Sequence, residues 1–186
     1  MLTPAQKTTL KAAIIANSTW NAYPNTTDGN YDLAQLLSIE ASPSFWVWST
    51  NADAQAVRAQ IDWAKLTPAD VPDGTQAWAN RSLQCQGKQF NLQLLLPMIG
   101  TFNGSDSNAR AGLQDALTAV RSGVGGASQN AGWNAVQAAL ARRAKSIEKI
   151  FADTSGGSDG STKPLSATMT WEGAISADDV QQARNS

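Results

Sequence analysis

Apolar residues recur every three or four positions along most of the chain, which is the spacing of one buried face of an α-helix. The first such segment begins at Pro4 and ends near Asn17. Thr3 precedes it as a helix cap, and Gln6 completes a capping box with Thr3. The longest pattern predicts one continuous helix over residues 133–151.

Further helices are predicted from the same spacing and from their start signals. One passes through Leu33 and Leu37, one begins at Asp53, one covers residues 75–96, and one runs over about residues 108–121. The fold class predicted from these segments is mainly α, a helical bundle.

The stretch "LSATMTWE", residues 165–172, has a different period. Every second residue is apolar, and the residues between them are polar, as in a half-buried strand. The apolar set is Leu165, Ala167, Met169 and Trp171. An isolated strand leaves its backbone groups unpaired, so this one needs a partner. Two partners fit: residues 45–50 of the same chain, or a sheet of a neighbouring subunit or other protein.

Composition divides the chain into three parts. Residues 153–164 are rich in glycine and serine, which is typical of a flexible linker. The predicted organisation is therefore a helical body over 1–152, a linker over 153–164, and a C-terminal tail over 165–186. The tail holds the predicted strand and a short helix capped by Ser176. A flexible tether of this kind favours addition of the strand to another chain.

Aromatic residues concentrate in "FWVWST", residues 45–50. Large aromatic side chains with one polar atom are frequent anchors of interfaces. Phe45, Trp46 and Trp48 are therefore predicted, together with the apolar residues of the tail strand, as partner-docking residues.

The absence of histidine from the 186 residues, and the presence of a single cysteine, Cys85, change the functional picture. One chain cannot form a zinc cluster or a Cys–His pair from these residues. We therefore expect no enzyme activity and no cofactor. The net charge of −1 provides no overall field toward nucleic acid or membrane, and the longest apolar run, near residues 94–99, is too short to span a bilayer.

Cations cluster in the last long helical pattern, at Arg142, Arg143, Lys145 and Lys149. They could contact phosphate groups of DNA. Glu148 interrupts them, and a solvated or subunit-contacting face explains them more simply. Arg142, Arg143 and Lys145 are retained as candidate cations of a DNA channel.

Several stretches together resemble a family of small proteins encoded in the structural gene clusters of tailed bacteriophages, near the capsid and neck genes. The stretches are "LTPAQKTTLKAAI", "ASPSFWVW", "LQDALTAVRSGVGGASQNAGW", "EKIFA" and "TWEGAISADDVQQAR". The resemblance covers most of the chain and is least distinctive over residues 51–90. It implies a virion component at the head–tail junction, and it implies no catalytic residues.

The expected function is therefore that of a head–tail connector, an adaptor subunit that forms a ring and docks through its C-terminal tail. Its expected partners are copies of itself, portal and tail or neck proteins, and packaged DNA without sequence specificity, but no membrane. The expected location is the virion. Two alternatives remain open: a tail-terminator or minor capsid-decorating protein, and a small phage hydrolase acting on cell wall or glycan, which would need a buried acidic pair.

Overall fold

The computed structural model describes residues 1–67, 83–121, 128–153, 163 and 166–186. This part of the chain is mainly α-helical with two small two-stranded sheets, which confirms the predicted class at that level. The described helices are α1 (Pro4–Ala16), α2 (Ser18–Asn21), α3 (Thr27–Ser38), α4 (Ala54–Ala59), α5 (Trp63–Leu66), α6 (Leu83–Leu95), α7 (Ser107–Leu117), α8 (Trp133–Ala139), α9 (Ser146–Ile150) and α10 (Ala177–Arg184). The described strands are β1 (Trp46–Trp48), β2 (Ala52–Asp53), β3 (Thr101–Phe102) and β4 (Ala141–Arg143). β1 pairs with β4, and β2 pairs antiparallel with β3.

The chain divides into two compact units, each of which has its own core. Residues 1–47 and 143–186 form one unit, called here the terminal unit, and residues 48–142 form the other, the central unit. This division differs from the predicted body, linker and tail, because the C-terminal residues belong to the same unit as the first helices. Residues 154–162 and 164 of the predicted linker lie outside the described residues.

In the terminal unit, helices from both ends of the chain pack together: α10 lies against α1 and α3. Leu10, Leu33 and Val180 are fully buried in the core that these helices share. The predicted capping box at Thr3 is present, and so is one at Ser176, the predicted cap of the last helix.

The core of the central unit lies among α4, α6, α7 and α8. Leu92, Leu113 and Val136 are fully buried there. Cys85 is also buried in this core, its Sγ donates to Leu66 O at 2.5 Å, and burial raises the pKa of its thiol. The cysteine is a small interior side chain.

The long helix predicted over residues 133–151 is wrong, because this stretch forms α8, β4 and α9 instead. Hydrogen bonds to an upstream segment replace the helical ones: Ser49 N donates to Leu140 O at 2.8 Å, and Ala144 N donates to Phe45 O at 2.8 Å. Leu140 and Ala144 are both fully buried, so their spacing of four matches a helix although the backbone between them is extended.

Candidate functional site

The C-terminal segment predicted as a strand lies against its own chain. Ala167 N donates to Trp46 O at 2.9 Å, and Ala167 forms a parallel bridge with Val47. This is the first of the two pairings that the sequence allows, the one with residues 45–50 of the same chain. Leu165, at the start of the segment, lies outside the described residues.

The segment is not a continuous strand over its described part, residues 166–172. It forms isolated bridges at Ala167 and Met169, and Thr170 N donates to Phe151 O at 2.9 Å. The expectation that the backbone of this segment pairs with another chain is therefore wrong for the N–H groups of Ala167 and Thr170, which donate to their own chain. Addition to a foreign sheet would first have to break them.

The apolar side chains of the segment pack against the terminal unit. Ala167 is fully buried beside Phe45, and Met169 packs against the same cluster. The half-buried Trp171 meets Phe151, with ring centroids 5.9 Å apart. These residues therefore stabilise the fold of their own chain.

The aromatic residues near β1 do not form a single exposed patch. Phe45 is buried in the terminal unit, and Trp48 is buried in the central unit, where the guanidinium of Arg110 lies 4.3 Å from its ring centroid. Trp46 is half-buried, and the cations of Arg143 and Lys163 lie 5.7 Å and 5.0 Å from its ring centroid.

The three candidate DNA-channel cations lie on β4 and just before α9, and not on a long helix. Successive residues of a strand point to opposite sides, so Arg142 and Arg143 do not share a face. Arg143 pairs with Glu40 at 3.2 Å, and Lys145 is the residue that caps α9. β4 therefore does not present a row of cations on one side.

Two buried carboxylates accept hydrogen bonds from the backbone. Glu148 accepts from Lys145 N at 2.8 Å and from Gly173 N at 3.1 Å. Asp179 accepts from Leu2 N at 3.1 Å and from Ser176 Oγ at 2.7 Å. Burial raises the pKa of Asp179, but the hydrogen bonds from Ser176 and Leu2 and the nearby N-terminal amine together outweigh it and hold the pKa below its usual value. A general acid of a glycosidase would need the opposite shift.

The most distinctive surface in the described residues is the outward face of α6. Leu83, Phe90 and Leu94 are 71%, 60% and 71% exposed, and Met98 and Ile99 just beyond the helix are exposed as well. At about 100° per residue, Leu83, Gly87, Phe90 and Leu94 fall within roughly 60° of one another around the helix. We call these four residues the α6 stripe.

The opposite face of α6 is the one that packs inward, through Cys85, Leu92 and Leu96. The positions that flank the stripe carry amides, with Gln84 and Asn91 on one side and Gln86 and Gln93 on the other. The sequence predicts a helix over residues 75–96 without dividing its apolar residues by face, and residues 75–82 of that prediction lie outside the described residues. Plotting the residues around the helix axis would have separated two apolar faces, so the signal for this surface is in the sequence.

A groove lies on the terminal unit, between α2, the end of α3 and the start of α9. It is described by two adjoining cavities of about 210 Å³ and about 270 Å³, which share Asn17, Trp20, Ser42 and Ser146. We call it the Trp20 groove. Its other lining residues are Thr19, Leu36, Ile39, Glu40, Ala41, Lys149 and Ile150.

Within the described parts of the chain, no group of three or more acidic, cysteine or histidine residues is arranged to hold a metal ion. None of the described helices is long and apolar enough to cross a membrane. Comparison with known proteins found no matching family model, no matching curated protein and no matching solved structure.

Proposed function

We propose that this protein is a structural component of a tailed-phage virion, an adaptor subunit that forms a ring at the head–tail junction. The place in the particle comes from the resemblance of its sequence stretches to proteins encoded near capsid and neck genes. The observation on the fold that supports an assembly role is the α6 stripe.

The stripe supports assembly because α6 has two opposed apolar faces while only one of them packs in its own core. A surface helix of a globular protein normally has one apolar face and a polar, charged opposite face. In α6 the only charged residue is Lys88, which reaches Asp115. An exposed apolar stripe that is flanked by uncharged amides is typical of a protein–protein contact.

The proposed partners are copies of the same chain, the portal, and neck or tail proteins, with packaged DNA as a further contact. Docking through the C-terminal tail is part of the proposal only if the segment near Ala167 and Thr170 exchanges its own-chain hydrogen bonds for equivalent ones. The α6 stripe needs no such exchange, because its side chains already face outward.

The experiment is complementation of a phage that lacks this gene. The wild-type chain should restore tailed, infectious particles, and imaging of those particles should show its density at the neck. Leu94→Glu should restore neither, since it places a charge at the C-terminal end of the stripe. Ile15→Glu is the matched control, because Ile15 is 60% exposed on α1, outside the stripe.

Two results would overturn this proposal. One is the absence of the chain from purified particles. The other is normal tail attachment without the gene. Density at the end of the tail or scattered over the capsid would favour the tail-terminator or decoration role instead, with the stripe still serving as the contact.

A further inference from the structure

The α6 stripe and the Trp20 groove have matching chemistry although they lie on different units of the chain. The stripe is apolar along its centre, with amide side chains on both flanks. The groove has apolar lining residues, among them Trp20, Leu36 and Ile150, and hydroxyl or amide groups from Asn17, Ser42 and Ser146. Apolar surface would meet apolar surface, and amides would meet hydroxyls and amides.

Charge does not oppose the match. The α6 residues of the stripe and its flanks carry no ionisable group, and Lys88 is turned to Asp115 with its side chain only 11% exposed. Asp115, on α7, is the exposed carboxylate that lines a cavity next to Leu94, and it is paired with Lys88. The ionisable residues that line the groove are Glu40 and Lys149, one of each sign. Lys149 lies over the ring of Phe45 at 5.8 Å, and Glu40 pairs with Arg143. The α6 stripe brings no charge of its own into the groove, and Glu40 and Lys149 keep these partners. The contact therefore places no two like charges next to each other.

We propose that the α6 stripe of one copy of this chain seats in the Trp20 groove of a second copy. The contact is head-to-tail, since it joins two different surfaces. Repeated contacts of that kind close into a ring when the rotation between neighbours allows it, and otherwise they form filaments. This inference rests on the proposed ring-forming function and names the surfaces that would join its subunits.

The amount of apolar surface fits a contact between copies. The three side chains of the stripe, at Leu83, Phe90 and Leu94, are 60% to 71% accessible, which corresponds to on the order of 300 Å² of apolar surface. With the amide flanks and the exposed Met98 and Ile99 just beyond the helix added, this approaches the roughly 800 Å² per partner of a standard interface. Gly87 lies at the middle of the stripe with open space where a Cβ would be, so a partner surface can approach the helix backbone closely there.

The test is a mixing experiment with two variants of the full-length chain. Phe90→Glu disables the stripe and Ile39→Glu disables the groove. Both positions are exposed, at 60% and 58%, so neither change introduces a charge into a core. Ile15→Glu is the control. Sedimentation velocity gives the mass of each sample, and circular dichroism checks that each variant is folded.

The wild type and Ile15→Glu should self-associate as the protein concentration is raised to on the order of 0.1 mM. Each disabling variant alone should be monomeric, with association weakened by more than about a hundredfold. An equimolar mixture keeps one intact stripe and one intact groove. It should therefore form a dimer of twice the 19.6 kDa chain mass and nothing larger.

Three outcomes would overturn the inference. If Ile39→Glu associates like the wild type, the groove is not used, and a stripe-to-stripe contact is favoured. If the mixture stays monomeric although both variants are folded, the two surfaces do not join. If the wild type is monomeric and Phe90→Glu lowers its stability, the stripe is covered within its own chain.

The association measurements and the imaging of particles together separate this inference from the proposed function. Association through other surfaces, with the chain present at the neck of particles, would remove the inference and leave the function standing. Association through these surfaces by a chain absent from particles would do the reverse.

Discussion

At the scale of single residues, the terminal unit is stabilised by polar side chains that join distant parts of the chain. Asp179 accepts hydrogen bonds from Leu2 N, at the start of the chain, and from Ser176, just before α10. Arg184, at the end of α10, donates to Tyr23 O, between α2 and α3, and to the side chain of Asn30 in α3. Both residues are charged and partly or fully withdrawn from water, so their loss leaves backbone groups without partners.

Asp179→Asn should destabilise the protein by about 1–2 kcal/mol at neutral pH, because the amide cannot accept the same set of hydrogen bonds with a negative charge. The pKa of Asp179 in the folded state lies below its ordinary value of 3.8. Its stabilising effect is therefore fully present above that ordinary value and is lost as the pH falls through the folded pKa.

Urea unfolding of the wild type and Asp179→Asn at neutral pH and below about pH 3 measures this difference. The gap in unfolding free energy should shrink at the lower pH. Asp178→Asn is the control, because Asp178 is in the same first turn but is exposed, and it accepts a hydrogen bond from the side chain of Gln182. A gap that stays constant with pH would contradict the assignment.

Gly104 lies where no side chain fits in the central unit. A Cβ there would sit 2.9 Å from both Leu140 O and Ser49 O, and Gly104 N itself donates to Ser49 O. Gly104→Ala should lower the free energy of unfolding by about 1–3 kcal/mol, since backbone atoms must move to admit the methyl group. Gly87→Ala, in open space within α6, should instead stabilise by roughly 0.5–1 kcal/mol. Thermal unfolding of both variants compares them, and equal effects would contradict the close approach at Gly104.

At the scale of elements, the start signals of helices predict the observed structure more reliably than a long periodic pattern does. The cap at Thr3, the start at Asp53 and the cap at Ser176 are confirmed, because a cap is satisfied by residues within one turn. The prediction of a helix over residues 133–151 is wrong because β4 pairs with β1, about 95 residues upstream, and no local pattern encodes that pairing.

The candidate site shows the same limit. The alternation over residues 165–172 correctly indicates extended backbone near Ala167, but it does not identify the partner. The choice between own-chain and foreign pairing depends on where Trp46 and Val47 lie in the fold. The two apolar faces of α6, by contrast, can be read from the spacing of its residues alone, because both faces belong to one helix.

Arg184 tests how α10 is held. Its guanidinium donates to four oxygens, those of Trp20, Tyr23, Pro24 and the Asn30 side chain. Lysine keeps the charge but lacks the planar fork, so Arg184→Lys and Arg184→Met should both cost about 2–3 kcal/mol. Hydrogen exchange over residues 20–30 should rise in both variants.

The matched control is Arg143→Met. Arg143 is 53% exposed in its ion pair with Glu40, and an exposed pair of that kind contributes less than about 1 kcal/mol. If Arg184→Lys retained wild-type stability, charge and not the array of hydrogen bonds would be what fixes the end of α10.

At the scale of the whole molecule, the two chain ends fold into one unit, and the residues between them form the other. Composition suggests a different division, with a detachable tail after a glycine- and serine-rich segment. Burial decides between the two descriptions, because Val180 and Ala183 are fully buried and Ile175 is nearly so. A truncation that removes the tail therefore damages the terminal unit itself. Loss of tails from particles after such a truncation would not separate a docking role from misfolding.

Cutting the chain without removing any residue distinguishes a docking role of the tail from misfolding. A specific protease site placed within residues 155–160 divides the protein into a long fragment and one that carries α10. Because burying a valine or isoleucine side chain contributes roughly 1.5–3 kcal/mol, and Asp179 and Arg184 add hydrogen bonds, the fragments should stay together. They should co-elute in native gel filtration and separate in urea.

Val180→Asp in the cut protein should release the short fragment without urea, since a charge replaces a fully buried side chain. Separation of the unsubstituted fragments in native buffer would mean that the tail is held weakly enough to leave its own chain, and docking through residues 166–172 would then become the favoured mode of assembly over the α6 stripe.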